Sequence, residues 1–533
     1  MKRFGVMLDC SRNAVMKPEQ VKKFVGVLKR FGYNALQLYT EDTYEVEGEP
    51  FFGYLRGRYS VAEMQDIVSY CSGIGMEVIP CIQALAHLNQ IFRWKEYAPV
   101  NDFADILLPE EDRTYTLIEN IFKTLRKCFS SEFVHIGMDE AHMLGLGKYL
   151  DKHGYKNRFE ILNKHLNKVI AIAKQYGFKP IMWSDMFFRL ANKGEYYPEN
   201  PVLTEECKKA IPEGVGLVYW DYYHTDKEYY TKMMRAHMCA DNEIWFAGGA
   251  WTWAGFASCN QFSLQSMLPA MQSAKDCGIE NIFLTMWGDN GKECSFYTAL
   301  PALYAIKRAY DGEKDMEKIK SEFKQITGED FDAMFSFDCP NFVAGNTNSR
   351  VNISKYMLYS DPFLGFLDVT VQPSVKAEYE RYATQFSAWA KGSGYAYLYE
   401  SYSALCQCLA IKYDLGVRTR KAYQEEGKEA LREVAKDYEK LSVALDAFHD
   451  KFQTLWFTEN KPHGFDVQDL RLGGLKQRVR SCHKRLIQYC NGEIENIPEL
   501  EETLLQGEFG DCVGENGEFV YNSWRENASV NIL

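Results

Sequence analysis

Eight short apolar runs, each followed by a stretch with helical spacing, fill residues 4 to about 310, and they set the tightest limit on how this chain can fold. The predicted strands are 4–9, 35–39, 77–82, 133–137, 180–183, 216–220, 244–248 and 281–287. Helical periodicity predicts helices at 18–31, 61–73, 113–129, 159–176, 227–237, 264–276 and 298–310. Pro18 suits the first turn of a helix, where its missing N–H costs nothing. Gly32, Gly75, Gly177 and Gly278 stand where helices hand over to strands, as C-terminal caps do. Strands that are apolar throughout are buried on both faces. Eight of them in strand–helix alternation predict an α/β fold, a (β/α)8 TIM barrel over residues 1–312. An open doubly wound sheet is the competing topology. It would carry a G-x-G-x-x-G turn after the first strand, where this chain reads Asp9-Cys10-Ser11-Arg12.

Past Tyr310 the pattern changes. Residues 313–373 read as an irregular connecting segment, partly helical up to Asp338, and 374–533 as a mainly α-helical C-terminal domain with helices at 376–390, 396–413 and 418–452. The last forty or so residues, with Gly507, Gly510, Gly514 and Gly517, read as loop-rich. A chain of 533 residues exceeds one core, in keeping with two domains. Sixty-one Lys and Arg face 73 Asp and Glu, a formal charge of −12, which argues against a nucleic-acid binder because that role needs a basic face. No apolar run approaches the ~20 residues of a membrane span. The opening Met1 to Asp9 is too short and too soon acidic for a signal peptide. The 15 cysteines are scattered, several inside apolar runs (Cys71, Cys81, Cys406, Cys408), and form no C-x-x-C pair. Reduced core thiols, and with them a cytoplasmic location, are expected.

A barrel of this kind does its chemistry at the C-terminal ends of its strands. Read in order, those ends are Asp9-Cys10-Ser11-Arg12, Glu41-Asp42, Ala86-His87, Gly137-Met138-Asp139-Glu140, Trp183-Ser184-Asp185, Trp220-Asp221-Tyr222, Trp251-Thr252-Trp253 and Trp287-Gly288-Asp289. One tryptophan at a strand end is ordinary rim packing, and one aspartate there is an ordinary helix cap. Four strands ending in tryptophan, beside recurrent acids, are hard to explain by packing alone. Indole faces take the apolar C–H side of a sugar, and carboxylates take its hydroxyls. No HExxH or other metal-ligand spacing, no G-x-S-x-G elbow and no phosphate loop is present, so neither metal nor cofactor is expected. A glycosidase is the economical inference. A retaining glycosidase with its own nucleophile sets two carboxyls about 5–5.5 Å apart across the scissile bond. Asp139 and Glu140, adjacent on one strand end, are poorly placed for that but can both reach the same side, while an isolated Asp-Glu pair also suits a solvated loop or a helix start.

These strand ends resemble the family 20 glycoside hydrolases, the β-N-acetylhexosaminidases. His135-Ile136-Gly137-Met138-Asp139-Glu140 is similar to the family's H-x-G-G-D-E signature, with Met138 in place of the second glycine. Leu8 to Arg12 resembles L-D-x-[SA]-R, Gly75 to His87 the third-strand segment, and Met286 to Asp289 the motif M-W-G-E with Asp replacing Glu. The resemblance covers the barrel, and its motifs fall on the expected strands in the expected order. The small α/β domain that usually precedes the family's barrel is not expected here, because the chain begins at the first strand.

The resemblance implies substrate-assisted retaining hydrolysis. The substrate's 2-acetamido oxygen attacks the anomeric carbon, Glu140 serves as general acid and then base, and Asp139 orients the acetamide. It further implies that Arg12 and Asp289 bind sugar hydroxyls, that Trp183, Trp220 and Trp287 line the pocket, and that His87 and Asp42 support Glu140. Trp251 and Trp253 join this expected binding set from the seventh strand end. At that end the family usually has a tyrosine that donates to the acetamide oxygen. Tyr222, Tyr223 or a second-domain residue is left to supply that donor. The run 456–464 (WFTENKPHG) is either a pocket-closing segment, in a monomer or across a homodimer, or a plain turn. The expected substrate is a small oligosaccharide or glycoside with terminal N-acetylhexosamine. Two other readings stay open: a conventional retaining glycosidase with Asp185, Asp221 or Asp289 as nucleophile, and a non-catalytic sugar-binding barrel.

Overall fold

The computed structural model describes residues 2–372, 375–505, 528, 529 and 531. The chain forms two compact units. The first takes in residues up to 250, 263–287 and 303–319; the second takes in 251–262, 288–302 and the described residues from 320 onward.

The first unit is a closed barrel of eight parallel strands: β1 (Arg3–Asp9), β2 (Ala35–Tyr39), β3 (Glu77–Cys81), β4 (Phe133–His135), β5 (Lys179–Trp183), β6 (Gly216–Trp220), β7 (Ile244–Gly249) and β8 (Asn281–Met286). Neighbours in sequence are neighbours in the sheet, and β1 closes on β8 from Arg3 opposite Asn281 to Leu8 opposite Met286. Met7, Tyr39, Ile79, Trp183, Trp245 and Phe283 fill the interior, with Trp220 and Trp287 partly buried against them. Two-sided burial is why these strands read as unbroken apolar runs. Arg3 sits over the Phe133 ring at 4.4 Å and pairs with Glu77 at 2.6 Å.

The helices that follow the strands match the expected spans within two residues, with one exception. The helix expected at 264–276 is Asn260–Asp276. Its first turn is capped by Asp338, whose carboxylate accepts from the amides of Asn260 and Gln261 at 2.8 Å each. That cap lies 78 residues away, so local sequence gives no sign of it. Two short helices, Asp185–Ala191 and Glu205–Ala210, occupy the connection from β5 to β6, where periodicity predicted none. At six or seven residues they are too short to show an apolar stripe. β4 ends two residues before its expected end, because Gly137 turns left-handed at φ 67°.

The second unit is mainly helical. Its longest helices are Lys428–Glu459 and Phe465–Asn491, and the first of these carries a buried stripe of Leu431, Ala435, Tyr438, Leu441, Leu445, Phe448, Phe452 and Leu455. The helix expected at 418–452 is two, Leu415–Lys421 and Lys428–Glu459, parted by a π-helical turn and by Gly427 at φ 87°. Within residues 313–373, helices Met316–Thr327 and Phe331–Phe335 lie where partial helicity is expected, and Ile353–Tyr359 lies in the part read as irregular. Glu293, buried, pairs with Lys355 at 2.8 Å and with Arg471 at 3.0 Å. In the 456–464 run, Trp456 is buried and donates to the Lys461 carbonyl at 3.0 Å. The segment from 506 to 527, with its glycines, lies outside the described residues. Among the described residues no helix is long and apolar enough to cross a membrane.

Candidate active site

Adjacent residues of a strand point to opposite faces, so Asp139 and Glu140 would diverge if β4 continued. It does not. Gly137, Met138 and Glu140 all take left-handed φ, at 67°, 70° and 51°. The turn is braced by Gln83, just past β3. Its Oε1 accepts from the Met138 amide at 3.1 Å, and its Nε2 donates to Asp139 Oδ1 at 2.8 Å and to the Tyr39 hydroxyl at 2.9 Å. Gly137 is required here, because a Cβ would stand 2.1 Å from Gln83 Oε1. Met138 occupies its left-handed position without a glycine's freedom, and its side chain is fully buried.

Both acids therefore reach one imidazole. His87 Nε2 lies 3.2 Å from Asp139 Oδ2 and 3.8 Å from Glu140 Oε2. Burial alone would lower the His87 pKa, but the Asp139 carboxylate, aided by Glu41, pushes it up to about 10. Burial would raise Asp139, yet the His87 imidazolium and the Gln83 amide hold it below the usual carboxylate range. Glu140 is raised, first by desolvation and then by the charge of Asp139. The two acids thus have their pKa values pushed apart, Asp139 down and Glu140 up. Their exposure follows suit: the Asp139 side chain is 15% exposed and that of Glu140 42%. Asp185, buried after β5, accepts from the Glu140 amide at 3.1 Å, and burial followed by the charge of Asp139 lifts its pKa to about 8.

On the opposite flank, Arg12 lies 3.3 Å from Glu41 and 3.9 Å from Asp9. Tyr39 donates to Glu41 at 3.0 Å, which links Glu41 through Tyr39 and Gln83 to Asp139. Glu41 is raised by burial, with Arg12 opposing. Asp42 takes a different partner from the one expected. Its carboxylate meets Arg56 at 3.3 Å, and Asp105 is the acid beside His87, accepting from the His87 amide at 2.9 Å. The further acids that reach His87 are Glu41, by its charge, and Asp105, 3.9 Å from Nδ1.

The aromatic residues form a continuous wall. Trp287 meets Tyr39 edge-on at 4.8 Å and Trp183 at 6.2 Å. Trp220 stacks on Tyr222 at 5.4 Å and meets Tyr196 and Tyr197 at 5.6 Å each. The Tyr222 hydroxyl interacts with the side chains of Trp287 and Thr285 and feels the charges of Asp139 and Glu140. His135 lies against Trp183 at 4.4 Å and is kept neutral by burial, its pKa brought down to about 3.

Of the residues singled out from sequence, the barrel unit brings together Arg12, His87, Trp183, Trp220, Trp287, Asp139 and Glu140. Trp251, Trp253 and Asp289 fall in the second unit. There Trp251 and Trp253 are buried and stacked at 4.3 Å, with Phe262 edge-on to Trp251. The Asp289 carbonyl accepts from the Gly291 amide at 2.7 Å, and Arg471 and Gln468 grip the carbonyls of Asn290 and Gly291. Asp221 is committed locally, accepting from Tyr219 at 2.8 Å, from the amides of Tyr223 and His224, and pairing with His224 at 2.7 Å. Sequence reasoning passed over Gln83, Glu41, Asp105 and Tyr196. Gln83 had a signal, as a lone polar residue within the apolar run from Val78 to Leu85, and Glu41 had its place in a strand-end pair. Tyr196 had none. Among the described residues no group of three or more His, Cys, Asp or Glu side chains could hold a metal ion.

A closed parallel barrel with two adjacent acids of opposed pKa shift at one strand end, a charged histidine beside both and an indole wall near them defines a barrel of the glycoside-hydrolase class. Comparison with protein families narrows the class. The glycosyl hydrolase family 20 catalytic domain matches residues 3–273, just over half of the chain, and the Glycoside Hydrolase 20C C-terminal domain matches residues 329–510. The chain belongs to glycosyl hydrolase family 20. Human Hexosaminidase D (Homo sapiens) is 24% identical over 249 residues, 44% of this chain and 49% of that protein. A probable beta-hexosaminidase of Arthroderma benhamiae is 26% identical over 266 residues, 42% of each. The chain thus spans about half the length of the curated relatives it matches. Among solved structures, Flavobacterium johnsoniae chitobiase is similar over 99% of this chain and 78% of its own, at 14% identity and a TM-score of 0.47.

Proposed function

We propose that the chain is an exo-acting, retaining β-N-acetylhexosaminidase that removes terminal non-reducing β-linked N-acetylglucosamine, and N-acetylgalactosamine where the pocket admits it, by substrate-assisted catalysis. The observation that carries this reading is that Asp139 and Glu140 share one imidazole, at 3.2 and 3.8 Å, and so work from one side rather than flanking a bond. The nucleophile is then the substrate's acetamide oxygen, a recognised exception to the two-carboxylate rule. That oxygen attacks C1 while the C1–O bond to the leaving group breaks, and Glu140 gives its proton to the departing oxygen. Asp139, ionised, holds the acetamide N–H and offsets the positive charge that develops on it, giving an oxazoline-type intermediate. Water then attacks C1, Glu140 takes its proton, the acetamide re-forms and the β configuration is kept.

Charge-assisted bonds from Arg12 bind sugar hydroxyls. Trp183, Trp220 and Trp287 take the apolar face of the ring. Tyr222, in the wall beside the acids, is our choice for the donor to the acetamide oxygen. The other carboxylates suit a covalent nucleophile poorly. Asp185, with its pKa lifted to about 8, is largely protonated at neutral pH, and Asp221 is held by its own turn. The fourteen cysteines among the described residues are free thiols, which suits a reducing compartment such as the cytoplasm.

Hydrolysis of 4-nitrophenyl β-N-acetylglucosaminide beside the matching β-glucoside tests the mechanism. Turnover of the N-acetyl substrate alone is expected. Comparable turnover of both would place the nucleophile on the protein and overturn the reading.

A further inference from the structure

Tyr196, in the connection from β5 to β6, places its hydroxyl 3.1 Å from Glu140 Oε1 and 2.8 Å from His142 Nε2. The other ring nitrogen of His142, Nδ1, faces the guanidinium of Arg189, which comes closer to it than to Nε2 at 3.4 Å. Arg189 also lies over the Tyr196 ring at 4.3 Å, and Arg158 donates to the His142 carbonyl. A guanidinium has donors only, so Nδ1 must accept and carries no proton. Neutral imidazole then holds its single proton on Nε2, directed at the Tyr196 oxygen. Tyr196 is left to donate its own proton to Glu140 Oε1.

We propose that Arg189, His142 and Tyr196 form a one-way hydrogen-bond relay that fixes Glu140 Oε1 as an acceptor and leaves Oε2, the oxygen 3.8 Å from His87 Nε2, to carry the transferable proton. Tyr196 is a positioning residue in this relay, and the inference rests on Glu140 being the acid. The neutral state of His142 supports the direction of the relay. Burial, then the charges of Arg189, His87 and Arg158, push its pKa down, with Asp105 opposing. Glu140 is faced by Asp139, which raises its pKa, and by His87, Tyr196 and Arg12, which lower it. The bond from Tyr196 thus restrains the rise that burial and Asp139 impose.

The test is the pH dependence of kcat/KM on methyl β-N-acetylglucosaminide, whose leaving group needs a proton. The alkaline limb reports Glu140 losing that proton in the free enzyme. Tyr196→Phe removes a bond to the carboxylate form, so the limb is expected to move up, by about half a pH unit to one unit for a single partly exposed hydrogen bond. Arg189→Leu frees the imidazole to take the other tautomer and accept from Tyr196, so its limb is expected to move the same way. Arg189→Lys, still a pure donor, is expected to keep the wild-type limb, which a merely structural role would not predict. If Arg189→Leu fails to fold, His142→Phe reads the same link. An unmoved limb in Tyr196→Phe, or a wild-type limb in the variant that breaks the Arg189–His142 link, overturns the relay. Glu140→Gln separates the two readings: if it leaves this substrate's hydrolysis intact, Glu140 is not the acid, whereas if it abolishes hydrolysis while the limbs stay fixed, the relay alone fails.

Discussion

Asp139→Asn replaces one oxygen with a nitrogen and removes one charge, and the surroundings of Asp139 make both changes costly. Each carboxylate oxygen faces a donor: Oδ1 faces Gln83 Nε2 at 2.8 Å and Oδ2 faces His87 Nε2 at 3.2 Å. An asparagine offers one acceptor and one NH2 group, so in either orientation a donor meets a donor. At 3.2 Å and an effective dielectric of ~20, the lost attraction to the imidazolium is roughly 5 kcal/mol before desolvation is counted. The His87 pKa agrees in size. It stands at about 10 against an ordinary 6.5, a gap worth about 5 kcal/mol, with Asp139 as its chief upward cause. In the proposed reaction the same carboxylate meets the acetamide N–H as positive charge develops, so kcat is expected to fall by about 10²–10³, the scale of one lost preorganised partner.

The pH profile of this variant carries the sharper signature. The charge of Asp139 raises the Glu140 pKa, and the proposed mechanism needs Glu140 protonated for its first step. Removing that charge lowers the pKa, so the alkaline limb of kcat/KM moves to lower pH, opposite to the shift expected of Tyr196→Phe. Stability follows the linkage of both partners. His87 is raised, so its contribution is full below about 6.5 and fades as pH climbs to about 10. Asp139 is lowered, so its contribution holds above its ordinary 3.8 and fades below that value. The gap in Tm between wild type and variant should be widest between those two values and close toward pH 10. Steady-state kinetics on methyl β-N-acetylglucosaminide from pH 4 to 10, with thermal melts across the same range, measure both effects. A loss under tenfold, or an alkaline limb that moves up, would refute the assignment of Asp139.

Glu140→Gln should cut kcat/KM on the methyl glycoside by about 10²–10⁴, the usual worth of a general acid, and far less on the nitrophenyl glycoside, whose leaving group departs unprotonated. Equal losses on both would sink the acid role. Gly137→Ala puts a methyl 2.1 Å from Gln83 Oε1 at φ 67° and should destabilise the protein by about 1–3 kcal/mol while weakening the hold on Asp139, as urea unfolding and kcat would show. An unchanged unfolding midpoint would mean that the turn has more room than the geometry allows. Lys355→Met removes a buried ammonium 2.8 Å from Glu293. Because Arg471 remains beside that carboxylate, the cost should sit near the lower end of the ~3–5 kcal/mol for breaking a buried pair, and an unchanged denaturation midpoint would contradict this.

The barrel was readable because its signal is local and repeated. Strands buried on both faces must be apolar along their whole length, and the helices that follow must show a stripe, so eight strands could be placed to within two residues at either end. What escaped reading depended on partners remote in sequence. The start of the Asn260–Asp276 helix is set by Asp338, and helices of six or seven residues carry too few turns to show a period. The break at 422–426 interrupts a stripe that is apolar on both sides, where only Gly427 marked the chain as free to turn.

At the site, the place of the paired acids at a strand end was legible and their direction was not. Strand alternation tells which residues face inward only while the strand lasts, and the chemistry begins where it stops. Glu41 lies two residues beyond β2 at φ 44°, so counting along the strand cannot say which of Glu41 and Asp42 turns toward Arg12 and which toward Arg56. The same departure makes Asp139 and Glu140 useful. Left-handed residues on both sides of Asp139 cancel the alternation that would have sent two adjacent acids to opposite faces, and Gln83, reaching over from the end of β3, holds the turn in that form. A pattern of residue types can thus point to a pair of acids, but which proton each one holds is decided by groups such as Gln83, His87 and Tyr196 that reach the pair only after the barrel has closed.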